Sequence, residues 1–166
     1  MEEYILNDHN KEEFPPAHTA EHLLNQTMIR LFGCERSRNA HIERKKSKIS
    51  YVVDHKPDRR EERLIASTMN ELIRQDMPVT YEYVTHHELE TLVRDADEGS
   101  PDAAIPLDRL PEDVSETIRL VRIGDYDVCP CIGKHVRSTS QIGRFEMLGT
   151  NWDEHSKTFR IRFKIV

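Results

Sequence analysis

Two pairs of metal-seeking side chains, at opposite ends of the chain, constrain its fold more than any other feature. His18 and His22 stand four apart in His18-Thr19-Ala20-Glu21-His22, and Cys131 and His135 share that spacing in Cys131-Ile132-Gly133-Lys134-His135. On a helix, residues four apart lie on one face, just over a turn along. An imidazole pair on an early helix, joined by a thiolate and an imidazole from a distant turn, is the donor set a tetrahedral zinc site needs. A fold that closes such a site must bring the first helix against the last part of the chain. Composition alone yields about 0.4 His–His pairs and about 0.16 Cys–His pairs at this offset. The flanking residues therefore have to decide.

A length of 166 residues fits one domain, 1–166, with a proper core. The hydrophobic share is 37% and the charged share 33%, which describes a soluble, polar protein. No apolar run approaches the length of a membrane-spanning helix. Met1-Glu2-Glu3-Tyr4 lacks the basic and apolar regions of a signal peptide. Three Cys, an odd number, argue for a reducing compartment, so a cytoplasmic protein is expected.

A net charge of −6 by itself disfavours a nucleic-acid partner, but the distribution matters more than the sum. Arg36, Arg38, Arg44, Lys45, Lys46 and Lys48 crowd one early stretch, and Arg137, Arg144, Lys157, Arg160, Arg162 and Lys164 cluster late. Acid collects between Asp95 and Glu116. Two basic zones on an acidic protein fit a phosphate-binding face; ordinary solvated surface is the alternative.

Leu23, Leu24, Thr27, Met28 and Leu31 recur at helical spacing and predict a helix from about His18 to Phe32, preceded by Pro15-Pro16 and stopped by Gly33. A strand is expected over Ile49 to Asp54. Asp58 and Glu61 form a capping box for a second helix, to about Gln75, with Leu64, Ile65, Met69, Leu72 and Ile73 as its buried stripe. A strand follows over Val79 to Val84. Thr85 with Glu88 then caps a short helix through about Val93. Residues 95–116, with Gly99, Pro101, Pro106 and Pro111, read as an acidic loop. Thr117 to Ile123 is expected to be a strand leading Cys129 and Cys131 into a turn at Pro130, followed by strands over Ile142 to Leu148 and Thr158 to Val166. In the last, Phe159, Ile161, Phe163 and Ile165 alternate with Arg160, Arg162 and Lys164, giving one core face and one basic face. The sum is an α+β domain, an antiparallel sheet with helices packed on it.

His18-Thr19-Ala20-Glu21-His22-Leu23-Leu24 resembles the opening motif of the alanyl-tRNA synthetase editing domain, shared with the second domain of threonyl-tRNA synthetase and with free-standing alanyl-tRNA editing proteins. The partner motif of that family, Cys-Gly-Gly-Thr-His-Val followed by Thr-Gly-Glu-Ile-Gly, is similar to Cys131-Ile132-Gly133-Lys134-His135-Val136 and Thr139-Ser140-Gln141-Ile142-Gly143. The resemblance covers about 18–148 and is nearest to the short, free-standing type. It implies zinc held by His18, His22, Cys131 and His135, and hydrolysis in trans of mischarged aminoacyl-tRNA. The implied substrates are seryl- or glycyl-tRNA of the alanine type, or seryl-tRNA of the threonine type. For contact with the tRNA acceptor end, Arg44, Lys45, Lys46, Lys48, Arg137 and Arg144 are expected to meet the acceptor strand, with Lys134, Thr139 and Gln141 nearer the substrate.

The chain departs from the family pattern at Ile132 and Lys134, at Ser140 and Gln141, and at Glu21, where the family carries threonine. Donors are kept while residues beside them change, so a second expectation stands next to the first: a zinc-stabilised module that binds tRNA or an amino-acid-like ligand without hydrolysis. Glu21 also completes a His-x-x-Glu-His pattern, the signature of an inverted-motif zinc peptidase, and is a candidate general base. A peptidase calls for a downstream carboxylate ligand, whereas Cys131 and His135 already bring the donors to four. Cys129, two residues before Cys131, could also supply the thiolate; the spacing to His135 and the family pattern favour Cys131, and Cys129 otherwise reads as a buried thiol near the site. Cys34 reads as a helix-end or core residue, and His9, His41, His55, His86, His87 and His155 have no partner at ligand spacing.

Overall fold

The first helix begins earlier than its apolar periodicity implies. In a computed structural model describing residues 13–107 and 117–166, helix α1 spans Pro15–Phe32, so both prolines lie inside its first turn. Proline costs nothing there, because first-turn N–H groups have no helical acceptor. Gly33 ends α1 in the left-handed conformation (φ 67°) with its N–H on the Ile29 carbonyl at 2.9 Å.

α1 is buried on more than one face: Ala17, Thr19, Ala20 and every residue from His22 to Met28 are shielded. Its polar members must therefore find partners on other elements. Asn25 Oδ1 accepts from the Tyr51 hydroxyl (2.8 Å) and the Ser37 N–H (3.2 Å), and the Thr27 hydroxyl meets that of Tyr126 at 2.7 Å. Leu31, counted with the apolar stripe, is 38% exposed at the helix end.

Helix α2 (Arg59–Arg74) carries the expected capping box, with Glu61 N–H on Asp58 Oδ1 at 2.8 Å and Asp58 N–H on Glu61 Oε1 at 2.9 Å. Helix α3 (His86–Asp95) repeats it with Thr85 and Glu88. Such a cap contributes about 1 kcal/mol. Ile65, Met69, Leu72 and Ile73 of α2 are buried, but Leu64 is 48% exposed and lies outside the stripe.

The described residues form seven strands: β1 (Asn39–His41), β2 (Ser47–Val52), β3 (Val79–Val84), β4 (Ile118–Ile123), β5 (Asp127–Pro130), β6 (Phe145–Asp153) and β7 (Thr158–Ile165). The α+β class stands, but with two antiparallel sheets rather than one, in the orders β1-β2-β7-β6 and β3-β4-β5. Cys129 does not lie in a turn; it pairs with Val121 in the β4–β5 ladder. The expected strand over Ile142 to Leu148 is divided, a 3-10 turn at Thr139–Ile142 preceding β6.

The main core lies between α1, α2 and the four-stranded sheet. Phe159, Ile161 and Phe163 of β7 are its centre. Each such side chain stabilises the fold by roughly 1.5–3 kcal/mol through removal from water. A smaller cluster of Leu89, Ile105, Ile118, Leu120 and Val128 lies under α3. In the acidic stretch, Pro101–Ala104 form a 3-10 turn and Ile105 is buried; its part at 108–116 lies outside the described residues, as does His9. No described helix is long and apolar enough to cross a membrane.

Candidate metal centre

The first turns of α1 and the segment leaving β5 meet, and the meeting place holds all four sequence-derived donors. One ligand atom from each of His18, His22, Cys131 and His135 lies within 4.8 Å of the others. Cys131 Sγ is 3.6 Å from His18 Nε2, and the ring centroids of His18 and His22 stand 4.5 and 4.6 Å from that of His135. Three imidazole nitrogens and one thiolate on zinc imply donor separations of about 3.3–3.6 Å in a tetrahedron. A small inward adjustment closes the set.

Local interactions prepare each donor. Thr19 is fully buried on α1 between the two histidines. Its hydroxyl accepts the Val136 N–H at 3.2 Å and lies 2.9 Å from His135 Nδ1. The opposite nitrogen, His135 Nε2, is buried with no hydrogen-bond partner among the described residues. His22 is 4% exposed and its Nδ1 is likewise unsatisfied, with Asp127 Oδ2 3.8 Å away. Two orphaned ring nitrogens in one buried cluster are costly as they stand, and they fit a cation that takes imidazole lone pairs.

Electrostatics keep these rings neutral. Burial lowers the His18 imidazole, pushes His22 well below its ordinary 6.5, and pushes His135 down to about 3. The Arg119 cation adds to the effect on all three. Burial raises the Cys131 thiol, while the Gly133 N–H, 3.4 Å from its sulfur, and the Arg119 charge act the other way.

Asp127 was not anticipated from the sequence. It is fully buried on β5, two residues before Cys129 and four before Cys131, and is held by Arg36 at 2.7 and 3.1 Å and by Gln26 Nε2 at 2.9 Å. A carboxylate set between Tyr126 and the apolar pair Val128-Cys129 was the available signal. Arg119 was also missed. Its Nε donates to the Cys131 carbonyl at 2.7 Å and its Nη2 to the Gly133 carbonyl, and its guanidinium lies 4.4 Å over the Tyr81 ring. It thereby fixes the turn that carries the second donor pair.

The remaining expected site residues divide. Glu21 reaches the cluster, its Oε1 3.7 Å from His18 Nε2. Lys134 is exposed beside it, with its N–H on Glu13 Oε1 at 2.8 Å. Ile132 is 92% exposed. Gln141 is exposed and accepts the Arg137 N–H at 2.9 Å, and Arg144 pairs with Glu146 at 2.8 Å. Lys45 and Lys46 are exposed between β1 and β2. Thr139 requires a correction. It is fully buried, its hydroxyl donates to the Leu72 carbonyl (3.0 Å) and accepts the Met77 N–H (2.9 Å), and it pins the turn to the end of α2 instead of facing a substrate. Cys129 is buried and outside the donor set; Cys34 is half-buried against the core.

A family model described as the threonyl and alanyl tRNA synthetase second additional domain matches residues 118–162. The alanyl-tRNA editing protein AlaX-L of Pyrococcus horikoshii is 30% identical over 131 residues, which is 79% of this chain and 29% of that protein. The alanine–tRNA ligase of Treponema denticola is 26% identical over 141 residues, 84% of this chain and 21% of the ligase. That of Caldicellulosiruptor saccharolyticus is 28% identical over 133 residues, 79% and 14% respectively. The chain thus spans less than a third of the length of each. With these matches and four donors gathered in one cluster, the chain is a relative of the alanyl-tRNA synthetase editing-domain family.

Proposed function

We propose that this protein is a zinc-dependent hydrolase of mischarged aminoacyl-tRNA, acting in trans in the cytoplasm. The observation that carries the reading is the convergence of His18, His22, Cys131 and His135, with the Glu21 carboxylate 3.7 Å from His18 Nε2. The three imidazoles and the thiolate would hold the zinc, which when bound supplies Lewis-acid polarisation of an ester carbonyl. Glu21 would accept the proton of the attacking water, within reach of the cluster from the same helix face. The exposed Ile132 and Lys134 form the rim, where Ile132 would limit the amino-acid side chain and Lys134 would meet the terminal phosphates. Arg137, Gln141 and Arg144 would extend this contact along the acceptor strand, as would Lys45 and Lys46 at the β1–β2 turn.

Hydrolysis at a second site answers a physical need. A pocket built for alanine cannot reject glycine or serine by more than a modest factor, since one methyl or hydroxyl changes binding by only about 1–3 kcal/mol. The substrate is accordingly seryl- or glycyl-tRNA of the alanine type, or seryl-tRNA of the threonine type.

Four protein donors around one ion are also the pattern of a closed structural zinc. That favours a second reading, a zinc-stabilised module that binds tRNA or an amino-acid-like ligand and leaves the ester intact. Incubation with seryl-, glycyl- and alanyl-tRNA, following loss of the ester, separates the two. Hydrolysis that disappears in His18→Ala and Cys131→Ala supports the enzyme. No hydrolysis of any of the three leaves the binding module.

A further inference from the structure

Three cations on the open face of the four-stranded sheet have no carboxylate within ion-pair distance among the described residues: Lys48 of β2, and Arg160 and Arg162 of β7. The β2–β7 register sets Lys48 directly opposite Arg162 and Ser50 opposite Arg160. Side chains alternate between faces along a strand, so all three cations point away from Ile49, Phe159, Ile161 and Phe163, which fill the core. Across on β6 stand Gly149 and Asn151, neither of them acidic. A Cβ at Gly149 would meet Arg162 Nη2 at 2.3 Å, so glycine, at the β6 bulge, lets the guanidinium lie against the strand.

Like charges directly opposite each other in an antiparallel pair destabilise the sheet. The Lys48–Arg162 pair therefore weakens the fold on its own and gains when a polyanion covers it. This face is also continuous with the donor cluster. A depression of about 230 Å³ lined by Asn39, His41, Lys48, Ser50 and Arg160 adjoins a second lined by Glu21, Ser37, Arg38, Asn39 and Ala40, with Asn39 common to both. The second ends at Glu21, beside His18.

We propose that the open face of this sheet takes the sugar–phosphate backbone of an RNA whose 3′ end enters the donor cluster along the Arg38–Asn39 groove. The identity of the RNA as an aminoacylated acceptor end rests on the deacylase reading. The positive face concentrates cationic charge on a chain of net charge −6, the footprint of phosphate recognition.

The test is binding of a short RNA hairpin with a single-stranded 3′ end, titrated at several salt concentrations, alongside hydrolysis of the same hairpin carrying seryl ester and of seryl-adenosine alone. Arg160→Glu combined with Arg162→Glu should weaken hairpin binding by about tenfold or more and reduce the salt slope by about two, leaving seryl-adenosine hydrolysis unchanged. Lys48→Glu is the more discriminating variant. It turns a like-charge pair into an ion pair with Arg162, so it should raise the unfolding midpoint while weakening the hairpin. Unchanged RNA affinity in these variants, or no salt-dependent binding by the wild-type chain, overturns the proposal. Hairpin binding through this face without hydrolysis of either ester would support the face and defeat the deacylase reading. Hydrolysis of seryl-adenosine with no effect of the face variants on the hairpin does the reverse.

Discussion

Gly133 lies directly against His18: a Cβ built on Gly133 would stand 2.0 Å from Cε1 of that imidazole and 2.5 Å from its Nδ1. No ordinary contact is so short, so the ring occupies space that only glycine leaves open. Gly133→Ala should push His18 out of the donor set and lower zinc affinity on the order of ten- to a hundredfold, the usual scale for disturbing a ligand's orientation. Competition with a chromogenic chelator measures this. Wild-type affinity in Gly133→Ala would mean that His18 is not held where the contact places it.

Asp127 joins the donor cluster to Arg36 across buried ground. Removing its charge takes away the carboxylate that pairs bidentately with the buried Arg36 guanidinium, a change that typically costs about 3–5 kcal/mol. Asp127→Asn should show that loss in urea unfolding. The double variant Arg36→Met with Asp127→Leu should lose less than the single, because neither charge then remains buried. Equal losses in single and double variants would show that the pair is not coupled.

The Thr19 hydroxyl serves both the Val136 N–H and His135 Nδ1. Thr19→Val keeps the volume and removes both bonds. The metal-free protein should lose about 1–3 kcal/mol, the cost of stranding buried polar groups. The long-range nitrogen–proton NMR pattern of His135 should change from one tautomer to a mixture. An unaltered pattern would place the control of that ring elsewhere.

The buried imidazoles also set a pH dependence. His18, His22 and His135 titrate below the ordinary 6.5, with His135 down to about 3, chiefly because of burial. In the unfolded chain they take protons near 6.5, so between these values the unfolded state binds more protons than the folded one. Metal-free stability should therefore hold above about pH 6.5 and fall as the pH is lowered toward about 3. Thermal melts across that range check the sign, and His135→Asn should flatten the decline. A midpoint that rises on acidification would contradict the buried, neutral state of these rings.

Much of this was legible in the sequence because it depends on local chemistry. The capping boxes at Asp58 and Thr85, the Gly33 stop and the alternation along β7 are all satisfied within a few residues of their cause. The donor spacing belongs to the same class, since i,i+4 on a helix fixes one pair whatever the rest of the fold does. The division into two sheets was hidden because strand partners are chosen by tertiary packing, and β1 is exposed at all three positions, giving no apolar signal. Thr139 was expected near the substrate because it stands in the stretch that resembles the second family motif; only the approach of the α2 carbonyls shows that its hydroxyl is already used. Arg119 and Asp127 escaped for the same reason, each acting on a segment that is not its own.

The central claim is that four side chains from two distant segments grip one ion. Titrating the metal-free protein with cobalt(II), and following both the thiolate-to-metal absorption and the ligand-field bands, tests it most directly. One ion per chain in a tetrahedral environment, with the thiolate band lost in Cys131→Ser and uptake weakened in His18→Ala, His22→Ala and His135→Ala, is the expected result. No saturable uptake, or uptake indifferent to all four substitutions, would contradict it.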